Sequence, residues 1–111
     1  MQLADAEKWM KEFYEKRGWT EYGPFIRVGF LMEEAGELAR PVQARAVRAY
    51  EIGRDRPDEK ESTRAEQKQE LIEEMGDVIG NIAILADMYG VSLEDVMKAH
   101  QEKLTKRFEH A

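Results

Sequence analysis

Apolar residues recur at helical spacing along most of the chain. A first amphipathic helix is predicted from about Ala6, and Gly18 is typical of its C-terminal stop. Its apolar side comprises Trp9, Met10, Phe13 and Tyr14. A second helix is predicted after Gly23, with Pro24 at a favourable first helical position. Its stripe comprises Val28, Leu31, Met32, Ala35, Leu38, Ala39 and Val42.

The segment 51–62, EIGRDRPDEKES, has no apolar periodicity and contains Gly and Pro, so an exposed connection is predicted there. Thr63 and Glu66 match a capping box at the start of a third helix, which Gly90 is expected to end. Its stripe comprises Leu71, Ile72, Met75, Val78, Ile79, Ile82, Leu85 and Ala86.

Ser92 and Asp95 predict the N-terminus of a last helix. Its stripe comprises Leu93, Val96, Met97, His100, Leu104 and Phe108, so His100 is expected to be packed. Pro41 interrupts the second helix pattern and predicts a kink or an early break. Helices with short links predict one all-α domain over residues 1–111, a four-helix bundle-like protomer with a central antiparallel hairpin.

Carboxylates form a row on each of the two central helices. Glu33, Glu34 and Glu37 share one side of the second helix, because positions three or four apart are neighbours on a helix surface. Glu74 and Asp77 repeat this spacing on the third helix. Taken singly, an acidic row is usually a solvated surface.

The two rows lie at matching distances from the middle of the predicted connection. Glu34 is as far from the boundary between residues 55 and 56 as Asp77 is, and Glu37 is as far as Glu74. In an antiparallel hairpin such residues lie at the same height, so the rows are expected to meet. Converging carboxylates need neutralisation, which a divalent cation supplies. Ligands that are all oxygen favour Mg²⁺, with Mn²⁺ as a possible substitute.

Composition excludes several classes of function. The chain has no cysteine, which rules out disulfides and thiolate metal sites. A net charge of -6 disfavours nucleic-acid binding, which depends on many basic residues. The apolar runs are far shorter than the roughly 20 residues that span a bilayer. The N-terminus does not read as a secretory signal, so a cytoplasmic location with no membrane partner is expected.

The motif E-E-x-x-E at residues 33–37, followed by E-x-x-D at residues 74–77, resembles the MazG-like nucleoside triphosphate pyrophosphohydrolases. The resemblance covers the chain from about Ile26 to Phe108. It implies an all-α, Mg²⁺-dependent enzyme that hydrolyses a nucleoside triphosphate, NTP or dNTP, to the monophosphate and pyrophosphate. By the same resemblance the metal ligands are Glu34, Glu37, Glu74 and Asp77, and Glu33 is an accessory ligand or a water-orienting base.

Substrate contacts are predicted outside the acidic rows. Lys103 and Arg107 lie four residues apart on one edge of the last helix, where they would clamp phosphate oxygens. Asn81 lies one turn beyond Asp77, in position to bind a ribose or a base. The alternative for each of these residues is an ordinary polar surface.

A second apolar side on the central helices, around Ile26, Phe30, Ile84 and Met88, predicts subunit contacts and a homodimer or homotetramer. Two other functions stay open from the sequence. One is phosphoribosyl-ATP pyrophosphohydrolase of histidine synthesis, a related enzyme of the same superfamily that shares the helical hairpin and the acidic residues. The other is a non-catalytic acidic helical interaction module, which predicts no stabilisation by metal.

Overall fold

The computed structural model describes residues 1–52 and 61–109, with side chains described for 1–43 and 65–109. In these residues there is no strand, and the helices are α1 (Leu3–Lys16), α2 (Pro24–Ile52), α3 (Glu61–Met88) and α4 (Leu93–Arg107). The predicted all-α class is confirmed. None of the described helices has a stretch long and apolar enough to cross a bilayer.

Glycine ends α1 and α3 in the same way, as the sequence predicts. Gly18 and Gly90 both have φ of +71°, a left-handed conformation that side chains with a Cβ rarely adopt. After Gly18, the N–H of Trp19 donates to the carbonyl of Tyr14 at 3.0 Å. This Schellman arrangement satisfies carbonyls that the end of a helix would otherwise leave unpaired.

Helix α2 begins at Pro24, as predicted, and continues through Pro41 to Ile52. The predicted early break at Pro41 is therefore wrong, and the alternative of a kink stays a prediction. Pro41 has no N–H to donate to the carbonyl of Glu37, but a single missing bond is tolerated between stretches rich in good helix formers.

The boundaries of the predicted connection 51–62 also change. Helix α2 extends to Ile52 and α3 begins at Glu61, so each helix takes two residues of that segment, and residues 53–60 lie outside the described residues. Thr63 is inside α3, and its predicted role as N-cap is wrong. Polar residues with good helix propensity can continue a helix, and because they form no apolar stripe, apolar periodicity does not detect this part of the helix.

Helix α4 starts with the predicted capping box. The Ser92 hydroxyl accepts from the Asp95 N–H at 3.1 Å, and the Asp95 carboxylate accepts from the Ser92 N–H at 3.0 Å. These bonds hold the pKa of Asp95 below its usual range, the backbone N–H of Ser92 contributing most. The buried Glu7 of α1 adds a cap, since its carboxylate accepts from the Leu93 N–H at 2.6 Å.

The chain forms two compact units, unit 1 (Met1–Val28 with Gly80–Ala111) and unit 2 (Gly29–Ile79). The buried apolar residues of the described chain belong to unit 1 and are Ala83, Ile84, Ala86 and Leu93. Ile84 is only 1% exposed, so its predicted place in a subunit contact is wrong. It packs inside its own unit instead.

Unit 2 has no fully buried residue among those whose side chains are described. Ile72, Met75 and Ile79, which belong to the predicted apolar stripe of α3, are 52%, 48% and 49% exposed. Two helices alone have no further element to cover both of their sides. These three side chains are therefore left about half exposed in the single chain.

The stripe of α4 is uncovered as well, except at its start. Leu93 is buried, whereas Val96, Met97, Leu104 and Phe108 are exposed. His100 is exposed too, so its predicted packing is wrong. An amphipathic pattern shows which side of a helix can be buried, and the tertiary structure decides whether anything covers it.

Candidate metal centre and its surroundings

Helices α2 and α3 bring three of the predicted ligands of unit 2 together. Glu34 and Glu37 share one side of α2 because they are three residues apart, and Glu74 comes from α3. One carboxylate oxygen from each of them lies within 4.8 Å of the other two. This spacing suits oxygens that share one cation.

Two oxygens of this cluster are buried without a hydrogen bond. They are Oε2 of Glu34 and Oε2 of Glu74, and among the described residues neither has a donor. A buried carboxylate oxygen without a donor destabilises the folded protein, because its hydration is lost and not replaced. A cation between the helices would supply the missing partner.

The pKa values of the cluster also show that its carboxylates are destabilised as charged groups. Burial, followed by the charges of Glu37 and Asp77, raises the pKa of Glu34 to about 7. Burial is likewise the largest cause that raises the pKa of Glu74, again followed by Glu37 and Asp77. Near neutral pH the metal-free cluster therefore retains part of a proton to relieve repulsion between like charges.

Asp77 and Glu33 stand apart from this cluster. Asp77 is exposed and offers no oxygen within the 4.8 Å group, although its charge acts on both Glu34 and Glu74. Glu33 is also exposed and lies outside the group. The roles predicted for these two residues remain predictions.

The donor set fits a hard divalent cation. Its atoms are all carboxylate oxygens, which Mg²⁺ and Mn²⁺ prefer, and the described chain offers neither thiolate nor imidazole in the cluster. Mg²⁺ commonly takes only a few carboxylates and completes its shell with water and substrate phosphates. Three glutamates would leave such positions open to a ligand.

A depression of about 390 Å³ lies beside the cluster, within unit 2. Its lining consists of Glu37, Arg40, Pro41, Glu70 and Glu74. Two of these residues, Glu37 and Glu74, also belong to the 4.8 Å group. The depression therefore opens directly onto two of the candidate ligands.

Asn81, predicted to contact substrate, is buried in unit 1. It is 6% exposed, and its Oδ1 accepts a hydrogen bond of 3.0 Å from Nη1 of Arg27. Arg27 is itself 4% exposed and also donates to the carbonyl of Trp19. The sequence reasoning missed Arg27, whose signal is a charged residue inside the apolar run P-F-I-R-V-G-F.

The predicted phosphate clamp lies on the surface of α4. Lys103 and Arg107 are both exposed, in the last part of that helix. Nothing among the described residues fixes either side chain in an ion pair. Their contact with phosphate remains a prediction.

Comparison with known proteins adds independent information. A family model described as the MazG nucleotide pyrophosphohydrolase domain matches residues 27–111. A relative with the name uncharacterized protein YvdC, from Bacillus subtilis (strain 168), is 95% identical over 111 residues and covers 100% of both chains. That name states no activity. No solved structure matches the chain.

Proposed function

The chain belongs to the MazG nucleotide pyrophosphohydrolase family, and from this premise we propose that it hydrolyses a nucleoside triphosphate to the monophosphate and pyrophosphate. The observation that carries the proposal is the convergence of Glu34, Glu37 and Glu74 within 4.8 Å of one another. Their unsatisfied charge needs a cation, and the cation in turn gives a triphosphate a place to bind.

Glu34, Glu37 and Glu74 would hold Mg²⁺, or Mn²⁺ in its place, with Asp77 as a further ligand. Support comes from the two buried oxygens without donors and from the charge that Asp77 exerts on the cluster. When bound, the metal supplies neutralisation of the triphosphate and of the leaving group. The protein's contribution is to keep the carboxylates of Glu34, Glu37 and Glu74 close enough to bind it.

In the proposed reaction the oxygen of a water molecule bonds to the α-phosphorus. The bond from that phosphorus to the oxygen bridging the α- and β-phosphates breaks, and the bridging oxygen leaves with pyrophosphate. The proton released by the water passes to a carboxylate, a role we assign to Glu33. Its exposure in the protein leaves it in contact with the solvent that provides the water.

We assign Lys103 and Arg107 to phosphate oxygens because cationic groups on one edge of a helix can contact adjacent phosphates. We propose that Asn81 contacts the ribose or base because it lies one turn beyond Asp77. Its Oδ1 also accepts a hydrogen bond from Nη1 of Arg27.

We also propose that the protein acts as a homodimer or homotetramer. Ile72, Met75 and Ile79 lie about half exposed on the side of α3 opposite Glu74. A second copy would cover this stripe without covering the carboxylates. A bundle with α2 and α3 as a central antiparallel hairpin, and a cytoplasmic location, complete the proposal.

The test of this function is hydrolysis by the purified protein. A panel of NTPs, dNTPs and phosphoribosyl-ATP is incubated with Mg²⁺, and the products are identified by chromatography and phosphorus NMR. We expect monophosphate and pyrophosphate from at least one nucleoside triphosphate. Glu37→Ala and Glu74→Ala should each lower the rate by about a hundredfold or more, because each removes charge that holds the metal at the reacting phosphates.

Glu66→Ala is the matched control, since Glu66 is an exposed glutamate of α3 outside the cluster. Its rate should equal that of the wild type. Cleavage of phosphoribosyl-ATP alone would replace the proposed substrate class. No hydrolysis of any substrate, together with no rise in melting temperature on adding Mg²⁺, would leave the acidic interaction module as the better description.

A further inference from the structure

Arg40 stands out among the residues around the carboxylate cluster because it is a cation in an acidic depression. It lines that depression together with Glu37, Glu70 and Glu74. On α2 it lies one turn beyond Glu37, so both side chains emerge on neighbouring parts of the helix surface. None of the residues assigned above to phosphate is in this depression.

Arg40 forms no ion pair with any carboxylate of the described chain. This is notable because Glu37, three residues earlier, is within reach of an ordinary helix ion pair. The guanidinium is exposed and keeps its donors available. Its fork of N–H groups matches the oxygens of a phosphate and can bind two of them at once.

The depression is of a size and composition that suits a polyphosphate. Its volume is about 390 Å³, and its lining combines two carboxylates of the metal cluster, Glu37 and Glu74, with Arg40, Pro41 and Glu70. Carboxylates alone would repel a phosphate, but a divalent cation held by Glu37 and Glu74 reverses their charge. A phosphate chain bound there would then meet positive charge from that cation and from Arg40.

We propose that Arg40 is a substrate-binding residue that holds the pyrophosphate part of the triphosphate, and the pyrophosphate product, beside the metal cluster. The proposal rests on the proposed function for its substrate. It assigns to α2 a phosphate contact in addition to those of α4. Because the contact is with the departing group, Arg40 should act on product affinity as well as on the reaction.

The decisive measurement is the binding of inorganic pyrophosphate in the presence of Mg²⁺, by isothermal titration calorimetry, which needs no turnover. Arg40→Ala should weaken binding by about tenfold to a hundredfold, the worth of a charged hydrogen-bond pair. The pyrophosphate affinity of Arg40→Lys should lie between those of the wild type and Arg40→Ala, since lysine keeps the charge but loses the forked pair of donors. Arg40 is exposed, so circular dichroism should show unchanged helix content.

Lys68→Ala is the control, because Lys68 is an exposed cation of α3 that does not line the depression. Its pyrophosphate affinity should stay within about twofold of the wild type, which the general loss of one charge allows. Equal affinities of Arg40→Ala and Lys68→Ala would overturn the inference. Mn²⁺ binding without pyrophosphate should be unchanged or tighter in Arg40→Ala, and a loss there would equally overturn it.

The same variants separate this inference from the proposed function. If the wild type binds pyrophosphate through Arg40 but hydrolyses no nucleotide, the proposed function fails and the Arg40 contact stands. If the wild type hydrolyses a nucleotide and Arg40→Ala has unchanged KM, kcat and pyrophosphate inhibition, the contact fails and the function stands.

Discussion

At the scale of single residues, burial separates members of an acidic row that the sequence presents as equivalent. Glu33 and Glu34 are neighbours in one motif, yet Glu33 is exposed, whereas Glu34 is partly buried with one oxygen without a donor. The raised pKa of Glu34 follows from that burial and from Glu37 close by. The cost of bringing these carboxylates together is therefore concentrated on particular side chains.

The raised pKa of Glu34 predicts that the metal-free protein becomes more stable as the pH falls from 8 to 5.5. The folded protein holds a proton on Glu34 up to a pKa of about 7, whereas the unfolded chain releases it at the ordinary value of 4.5. Between these values the folded state binds more protons, so the free energy of unfolding rises as the pH is lowered. Melting temperatures in EDTA across this range measure the effect.

Glu34→Gln is the comparison for the pH series, because glutamine resembles the protonated carboxyl. Its melting temperature should vary less with pH than that of the wild type, and at pH 8 it should gain less from added Mg²⁺. Asp95 does not interfere, since its lowered pKa confines its effect to more acidic solutions. Identical pH slopes in the two proteins would contradict the role given to Glu34.

At the scale of elements, glycines have two distinct uses. Gly18 and Gly90 end helices through their positive φ, which the sequence predicts from their positions after apolar stripes. Gly80 lies inside α3 and serves close approach, since a Cβ there would lie 2.5 Å from the Tyr14 hydroxyl. No sequence pattern distinguishes it from Gly76, whose surroundings are open.

Alanine at these two positions of α3 should therefore act in opposite directions. Gly76→Ala should stabilise the protein by up to about 1 kcal/mol, because alanine is the better helix former. Gly80→Ala should destabilise it by about 1–3 kcal/mol, since Tyr14 or the helix must move. Urea unfolding measures both changes.

The Tyr14→Phe background checks this explanation. Removing the hydroxyl leaves the ring carbon 3.5 Å from the added Cβ, which is an ordinary contact. Gly80→Ala should then lose most of its cost. An undiminished cost in that background would show that the crowding has another source.

At the scale of the whole molecule, part of the apolar surface of α3 stays exposed in the single chain. The exposed side chains of Ile72, Met75 and Ile79 form one continuous stripe over two turns. Contiguous apolar surface of this kind is a mark of protein interfaces. The proposed homodimer or homotetramer follows from this stripe rather than from the predicted contact at Ile84, which is buried.

A charge placed in the stripe should therefore change the oligomeric state. We expect the wild type to elute as a dimer or tetramer in size-exclusion chromatography with light scattering, and Ile72→Glu to shift to a smaller species. Burying an unpaired carboxylate in an apolar interface is costly. Gln2→Glu adds the same charge at an exposed position outside α3 and should leave the mass unchanged. A monomeric wild type at all concentrations would contradict the proposal.

The sequence by itself determined the helices, most of their ends and the family. Apolar periodicity and the signals at Gly18, Pro24, Ser92 and Gly90 depend on neighbouring residues alone, so they are legible without the fold. The motif spacing also predicted that Glu37 and Glu74 meet, because helical geometry fixes height along a hairpin. Local signals placed a helix start wrongly at Thr63, and the early break that was one alternative at Pro41 is absent because the helix continues through it.

Only the tertiary structure decided which sides of these helices are covered and which polar groups are held between them. The burial of Ile84, the exposure of Ile72 and the pairing of Arg27 with Asn81 depend on contacts between residues far apart in the chain. The depression that Arg40 lines together with Glu70 and Glu74 of α3 is of the same kind. A helical stripe records that a side can be buried, whereas burial itself depends on what packs against it.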